Sequence, residues 1–327
     1  MACYHPIEAW DLTPDLQDAF TDRFIRFTLP SGVSRDKMIR QGRRLMLPCR
    51  KCVGCRLSKS REWANRVVME QIYHDDAWFL TLTYDDEHLP ACRALSALGT
   101  TLSVHSTLVK ADLQKFFKRL RKNTKQKFRY FAAGEYGTNT YRPHYHVLIF
   151  GLKLDDLQVL KKNFAGNQYY TSDIIAKTWD LGYHILGQVT WQSAAYTARY
   201  TMKKATHGFD KRYYAVAGIE PEFQTMSLKP AIGAQYLLDH PDIMLYDTFS
   251  VSTPQGGRKM RPPEYFRKIW KEAHPQDALD RSLQSRLQSE VNMHLKLMLT
   301  DNDYLDILKI EEDKQLSKLN SLIRDSI

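Results

Sequence analysis

The chain reads as an α+β protein, an antiparallel sheet with flanking helices. Three observations predict this. The middle of the chain runs strand, helix, strand, strand, helix, strand and then helix, an order that suits a ferredoxin-like split βαβ arrangement with helices on one side of the sheet. The second and third strands are separated by Gly137-Thr138-Asn139-Thr140, which is turn chemistry. Neither common type of Gly-rich phosphate loop is present, so a Rossmann fold does not suit.

In chain order, residues 1–48 look irregular, and Cys49 to Cys55 form a compact knot. A helix follows from about Leu57 to His74, with Trp63, Val67 and Ile72 on a loose apolar stripe. Trp78 to Tyr84 is β-branched and aromatic and is stopped by Asp85-Asp86-Glu87, so it reads as a strand. Residues 90–106 read as a loop. Asp112 to Lys122 is a basic amphipathic helix with Leu113, Phe116, Phe117 and Leu120 as its buried side. Phe128 to Glu135 is a strand. His144 to Phe150 is another, apolar on both faces beyond its histidines, which places it centrally in its sheet. Residues 155–170 fit neither pattern cleanly. Ser172 caps a helix running to about Trp179. Gly182 to Trp191 is a strand and Ser193 to Lys204 a helix. Residues 205–265 are loop-rich, and from about Asp277 the pattern is long and helical. The expected domains are an N-terminal arm with the cysteine cluster and a helix (1–74), a sheet core (75–206), a loop-rich extension packed on it (207–275) and a C-terminal helical segment (276–327).

With 327 residues there is enough chain to bury a real core. Hydrophobic residues at 43% and charged residues at 26% exclude global disorder. The longest apolar runs, such as Val147 to Phe150, fall far short of the roughly 20 residues a membrane span needs, so no membrane partner is expected. The start, Met1-Ala2-Cys3-Tyr4-His5-Pro6, has no basic region followed by an apolar stretch, and no secretory signal is expected. The net charge is +10, and residues 110–129 alone hold 9 bases against 1 acid, so a polyanionic partner, nucleic acid first, suits the chain.

Four groups of residues could do chemistry. His144 and His146 lie at i and i+2 on a strand and point to one face. If the flanking strands pair through residues 136–143, Glu135 falls opposite or next to His144, and two imidazoles and a carboxylate make a three-point site with open positions. Such a site suits Mg²⁺ or Mn²⁺ acting on phosphate oxygens. Without the carboxylate, the pair reads equally as structural histidines after Pro143. Tyr196 and Tyr200 are about 40° apart on their helix, and Lys203 about 20° from Tyr196, so the three share a face. A core role is the plainer reading of two such tyrosines. Catalysis would need a phenol activated by Lys203 or Lys204 and by a metal-polarised phosphate. Lys115, Lys118, Arg119, Arg121 and Lys122 could contact backbone phosphates, or form a solvated charged face. Arg142 and Lys204 are further candidates for DNA contact. Last, Cys49, Cys52 and Cys55 supply three thiolates at the spacing of a tetrahedral site in a turn entering a helix. Cys3 is the first choice for a fourth ligand, then His5, then Cys92. Structural zinc is the first expectation, an iron–sulfur cluster the second, and unligated buried cysteines the remaining reading.

Together these blocks resemble the HUH endonuclease superfamily of rolling-circle replication initiators and relaxases. The matching motifs are His144-Tyr145-His146, the two-tyrosine stretch Tyr196-Thr197-Ala198-Arg199-Tyr200-Thr201-Met202-Lys203, and the strand Phe79-Leu80-Thr81-Leu82-Thr83-Tyr84. The sequence is closer still to the replication initiators of gokushovirus-type Microviridae. That resemblance lies in Met1-Ala2-Cys3-Tyr4, the block from Pro48 to Arg56, Gly134-Glu135-Tyr136-Gly137, Arg142-Pro143-His144-Tyr145-His146, Gly187-Gln188-Val189-Thr190, and Met226-Ser227 with Pro230 and Gly233. It spans about residues 1–270, and alanine stands at 231 where glycine is expected.

The resemblance implies an HUH nuclease core at 75–206 and a nickase-ligase acting on single-stranded DNA at a phage origin. A tyrosine attacks a phosphodiester, leaving a 5′-phosphotyrosine and a free 3′-OH primer. The metal sits at His144, His146 and Glu135. Tyr200 makes the first cut, with Tyr196 a close second, and Lys203 orients the phosphate. Host polymerase and helicase are the implied partners, and the host bacterial cytoplasm the implied location. The competing readings are a zinc-stapled single-stranded DNA binder without catalysis, and a metal-dependent nuclease that uses water.

Overall fold

The computed structural model describes residues 3–13, 24–95, 101–137, 140–162, 166–200, 211–253 and 256–320. The chain divides into two compact units, one of Met1–Ser58 with Pro262–Arg324 and one around Lys59–Arg261. The boundary falls inside the long helix Val53–Gln71.

In the first unit, residues 1–48 are more regular than the sequence suggests. Ile7–Asp11 pairs antiparallel with Arg44–Leu47 on one side and Ile25–Arg26 on the other. These strands are short, and Ile7 and Met46 point outward, which hides the alternation that marks a strand. Glu8 joins two segments by accepting from Arg35 at 2.9 Å and Arg44 at 2.7 Å. Ser34 caps the helix Arg35–Arg40, accepting from the Lys37 amide. The C-terminal region holds three helices, Glu264–Ala273, Pro275–Leu297 and Tyr304–Asn320. Pro275 in the first turn of the second helix costs nothing, because the amide it lacks would have no helical partner there.

The second unit is a seven-stranded antiparallel sheet between two layers of helix. The spatial order is Phe223–Met226, Arg129–Tyr136, Pro143–Phe150, Ala77–Tyr84, Gly182–Gln188, Gln168–Ser172 and Leu157–Lys162. Pro143–Phe150 lies between Arg129–Tyr136 and Ala77–Tyr84, as its two apolar faces require. Residues 155–170 supply two outer strands, and the loop-rich region supplies the opposite edge strand, Phe223–Met226. Residues 91–106 contain the hairpin Ala91–Leu95 with Thr101–Ser106 where the sequence predicts a loop. Gly182 opens its strand at φ +148, and a Cβ there would lie 2.3 Å from the Asp85 amide nitrogen, so only glycine lets the chain pass.

Alternation along the central strands separates two cores. On one face Leu80, Leu82, Tyr145, Val147 and Ile149 meet the basic helix Lys110–Thr124 and the short helix Asp173–Thr178, through Leu113, Phe116, Leu120 and Ile175. Leu113, Phe116 and Leu120 are fully buried, which stabilises the unit by roughly 1.5–3 kcal/mol each. On the other face Phe79, Phe131, Leu148 and Phe150 meet Trp63, Ala64 and Val67 of the long helix and Ala194, Ala195 and Ala198 of the helix Trp191–Tyr200. The three alanines let this last helix approach the sheet closely. Its start is fixed reciprocally: the Ser193 amide donates to Thr190 Oγ1 at 3.0 Å, and the Thr190 amide to Ser193 Oγ at 2.9 Å.

Candidate active site

The site begins with strand register. Glu135 pairs directly with His144, and His146 with Ala133, so Glu135, His144 and His146 leave the same face. It is the face covered by the long helix and the tyrosine helix Trp191–Tyr200. His144 Nε2 lies 2.7 Å and His146 Nε2 2.9 Å from the same oxygen, Glu135 Oε1. The two rings are nearly perpendicular, 4.9 Å apart between centroids.

Each imidazole is held from behind. His144 Nδ1 donates to the Arg142 carbonyl at 3.1 Å, which turns Nε2 toward the carboxylate. His146 Nδ1 is 3.1 Å from Thr81 Oγ1, its cross-strand neighbour, and its ring stacks on Phe79. Burial would push the Glu135 carboxyl up, but the hydrogen bonds from His144 and His146 outweigh it and hold the group below the ordinary carboxylate range.

The donor set fits a cation. One ligand atom from each of Glu135, His144 and His146 lies within 4.8 Å of the others. Two neutral nitrogens and one carboxylate, with both imidazoles aimed by their outer nitrogens, suit a divalent ion that keeps positions open for oxygen ligands. The chemistry is compatible with a metal without selecting one.

Tyr196 joins this cluster from the facing helix. Its ring meets His146 edge-on with 5.1 Å between centroids, and Phe79 at 6.3 Å. Two hydrogen bonds tie the tyrosine helix to the long helix: Ser60 Oγ donates to the Ala195 carbonyl at 2.7 Å, and Trp191 Nε1 to Asn65 Oδ1 at 2.9 Å. The helix backbone extends to Tyr200. The Tyr200 side chain, Lys203 and Lys204 lie outside the described residues.

The basic helix is not brought to this cluster. Its apolar side packs on the opposite face of the sheet. Arg119 pairs with Asp180 at 2.7 Å, Arg121 stacks over Phe128, and Lys115 reaches Asp112 at 3.4 Å, whereas Lys118 and Lys122 are exposed. Arg142 donates to the Tyr84 carbonyl at 3.0 Å and to Asp86 at 2.6 Å, which anchors the turn before the histidines. Thr81 and Phe79, which sequence reasoning did not single out as site residues, border His146. Their odd-numbered alternation with Thr83 on the neighbouring strand was the available signal.

The cysteines form a second cluster, in the first unit. The Sγ atoms of Cys3, Cys49, Cys52 and Cys55 all lie within 4.8 Å of one another. Of the alternative fourth ligands, His5 is engaged with Glu312 at 2.5 Å, and Cys92 sits in the hairpin of the other unit, its thiol 3.4 Å from the His105 carbonyl.

A family model for the replication-associated protein ORF2 matches residues 77–205, which include the glutamate, both histidines and both tyrosines. Replication-associated protein ORF2 of Spiroplasma virus 4 is 35% identical over 286 residues, 85% of this chain and 83% of that protein. Replication-associated protein VP4 of Bdellovibrio phage phiMH2K is 37% identical over 262 residues, 79% and 77% of the two chains. Replication-associated protein ORF4 of Chlamydia phage 1 is 31% identical over 173 residues, 50% of this chain and 40% of that one. No solved structure matches. The chain belongs to the family of phage replication-associated proteins, as its resemblance to the initiators of small single-stranded-DNA phages indicates.

Proposed function

We infer that this protein initiates rolling-circle replication by cutting and rejoining single-stranded DNA at a phage origin through a tyrosine. The observation that carries the reading is the contact of the Tyr196 ring with His146, 5.1 Å between centroids, above the Glu135–His144–His146 cluster. A nucleophile and a cation-holding triad are thereby within reach of one phosphate. The strand order supports an HUH core. Counting Ala77–Tyr84, Arg129–Tyr136, Pro143–Phe150 and Gly182–Gln188 as one to four, their spatial order is 2-3-1-4, that of a ferredoxin-like split βαβ sheet.

In this reading Glu135, His144 and His146 hold Mg²⁺ or Mn²⁺. A divalent ion there supplies Lewis-acid chemistry toward a phosphate oxygen. The phenol oxygen of Tyr196 attacks phosphorus in line, the bond to the 3′ oxygen breaks, and the protein carries a 5′-phosphotyrosine beside a free 3′-OH. The bond energy stays in the phosphodiester, so attack by a 3′-OH reverses the step. Tyr200, one helical turn along, serves the second cut, and Lys203 offsets charge on the phosphate. The 3′-OH primes a host polymerase, host helicase unwinds, and the work proceeds in the host bacterial cytoplasm. No described helix is long and apolar enough to cross a membrane.

The test is incubation with a single-stranded origin oligonucleotide and Mn²⁺. An SDS-resistant protein–DNA adduct is expected, reduced in Tyr196→Phe and absent in the double variant Tyr196→Phe/Tyr200→Phe. Nicked product without adduct would favour a water-using nuclease, and binding without cleavage a binding module.

A further inference from the structure

Four sulfurs meet at one point in the first unit, drawn from the N-terminal arm and from the turn that opens the long helix. We propose that Cys3, Cys49, Cys52 and Cys55 bind one zinc ion, and that this ion holds the C-terminal helix Tyr304–Asn320 against the N-terminal arm. Nothing in the nicking reading needs this centre, and it stands or falls separately.

Geometry selects a single ion. A tetrahedral zinc with sulfur ligands at about 2.3 Å separates its sulfurs by about 3.8 Å. The four Sγ atoms lie within 4.8 Å of one another, so a small contraction closes the shell. A multi-iron cluster would hold its thiolates further apart, because its inorganic core stands between them. All four cysteines are free thiols, and they converge as a foursome rather than as two bonded pairs.

The backbone is arranged for thiolates. Amides donate to three of the sulfurs: Cys49 to Cys3 at 3.2 Å, Cys52 and Lys51 to Cys49 at 3.2 and 3.4 Å, and Cys55 and Tyr4 to Cys52 at 3.5 and 3.4 Å. Donors aimed at ligand sulfurs orient them and stabilise their negative charge. Arg50 adopts φ 60, a left-handed turn that folds Cys49 and Cys52 toward each other. Arg50, Lys51 and Arg56 flank the ligands in the chain and offset the charge of four thiolates on one dication.

The C-terminal helix shows what the ion supports. The core around the cysteines consists of Tyr4, Cys52, Val53, Cys55 and Leu308, with Tyr304 and Leu319 packed at its edge. Two of its five buried members are themselves cysteines, and among the described residues Leu308 is the only buried one on the C-terminal helix. So small an apolar contact is the setting in which a structural metal replaces a core. His5, two residues after the first ligand, adds its contact with Glu312 on the same helix.

The experiment uses full-length protein purified without chelator or metal-affinity tag. Metal analysis should find about one zinc per chain. The zinc should be lost in Cys55→Ser and kept in Cys92→Ser. Stripping the ion with a strong chelator should speed tryptic cleavage at Lys309, Lys314 and Lys318 about tenfold or more, while peptides of the strands 129–150 stay protected. Iron in place of zinc, disulfides among the four cysteines, or folded wild-type protein without metal would each overturn the site. Unchanged cleavage of the C-terminal helix after zinc removal would overturn its role as a clamp.

Discussion

The strand Pro143–Phe150 has two faces that differ in kind. Tyr145 points to one of them and is fully buried. Its hydroxyl lies 2.7 Å from that of Tyr84, accepts from the Val109 amide at 2.9 Å, and sits 3.0 Å from the Val109 carbonyl. Burial pushes that phenol up to about 12, even with hydrogen bonds from Tyr84 and Val109 pulling the other way. Its neighbours His144 and His146 point to the opposite face, toward a carboxylate and the ring of Tyr196. One residue of offset separates a phenol locked into packing from a phenol beside a cation site. Residue type alone does not make a tyrosine a nucleophile; the face on which it ends, and what waits there, decides.

The contrast breaks most sharply at the histidines. His146→Ala should lower cleavage of a single-stranded origin oligonucleotide by at least about a thousandfold while sparing DNA binding measured by anisotropy. Unchanged cleavage would remove the cluster from the chemistry. Thr81→Ala, which withdraws the partner of His146 Nδ1, should weaken Mn²⁺ binding about 10–100-fold in calorimetry without unfolding the protein.

Acid should loosen the histidine face before its opposite. Glu70 of the long helix is buried there, accepting from the Gly233 amide at 2.7 Å, from Arg129, and from His74 at 3.1 Å. Burial pushes its carboxyl up, but these partners win and hold it below the ordinary range. A carboxyl lowered in the folded state stabilises fully above its unfolded value, near 4.3, and that stability is lost as pH falls through the lowered folded value. Glu70→Gln should therefore cost about 1–3 kcal/mol at neutral pH in denaturant titrations and progressively less in acid. A cost that does not shrink below about pH 4 would contradict the assignment.

On the other face, Tyr145→Phe should cost about 1 kcal/mol of stability and leave cleavage intact. The smallest effect belongs to the basic helix. Because it lies across the sheet from the histidines, Lys118→Glu with Lys122→Glu should leave cleavage at saturating DNA unchanged and only flatten the salt dependence of binding, by about one unit of slope per lost phosphate contact. A loss of cleavage at saturation would show that DNA reaches both faces.

Much of this was legible in the sequence where period and turn chemistry agree. The strands around Thr81, Glu135 and His146 are strongly patterned, and the turn between Tyr136 and Pro143 fixed their pairing closely enough to put a carboxylate beside two imidazoles. Pattern did not reveal which layer covers which face: the basic helix advertises its charge, yet Leu113 and Phe116 are equally at home on either side of a sheet. Nor did it reveal the small sheet built on Ile7–Asp11, whose strands are short and partly exposed, or Leu308 beside the cysteines. Both depend on partners distant in the chain, about which local period says nothing.

The most direct test of the central claim is peptide mapping of the covalent product by mass spectrometry after nuclease trimming. A nucleotide on the phenol of Tyr196 or Tyr200, in the peptide that contains the helix 191–200, is the predicted result. Modification of any other residue, or cleaved DNA with an unmodified tyrosine helix, would contradict it.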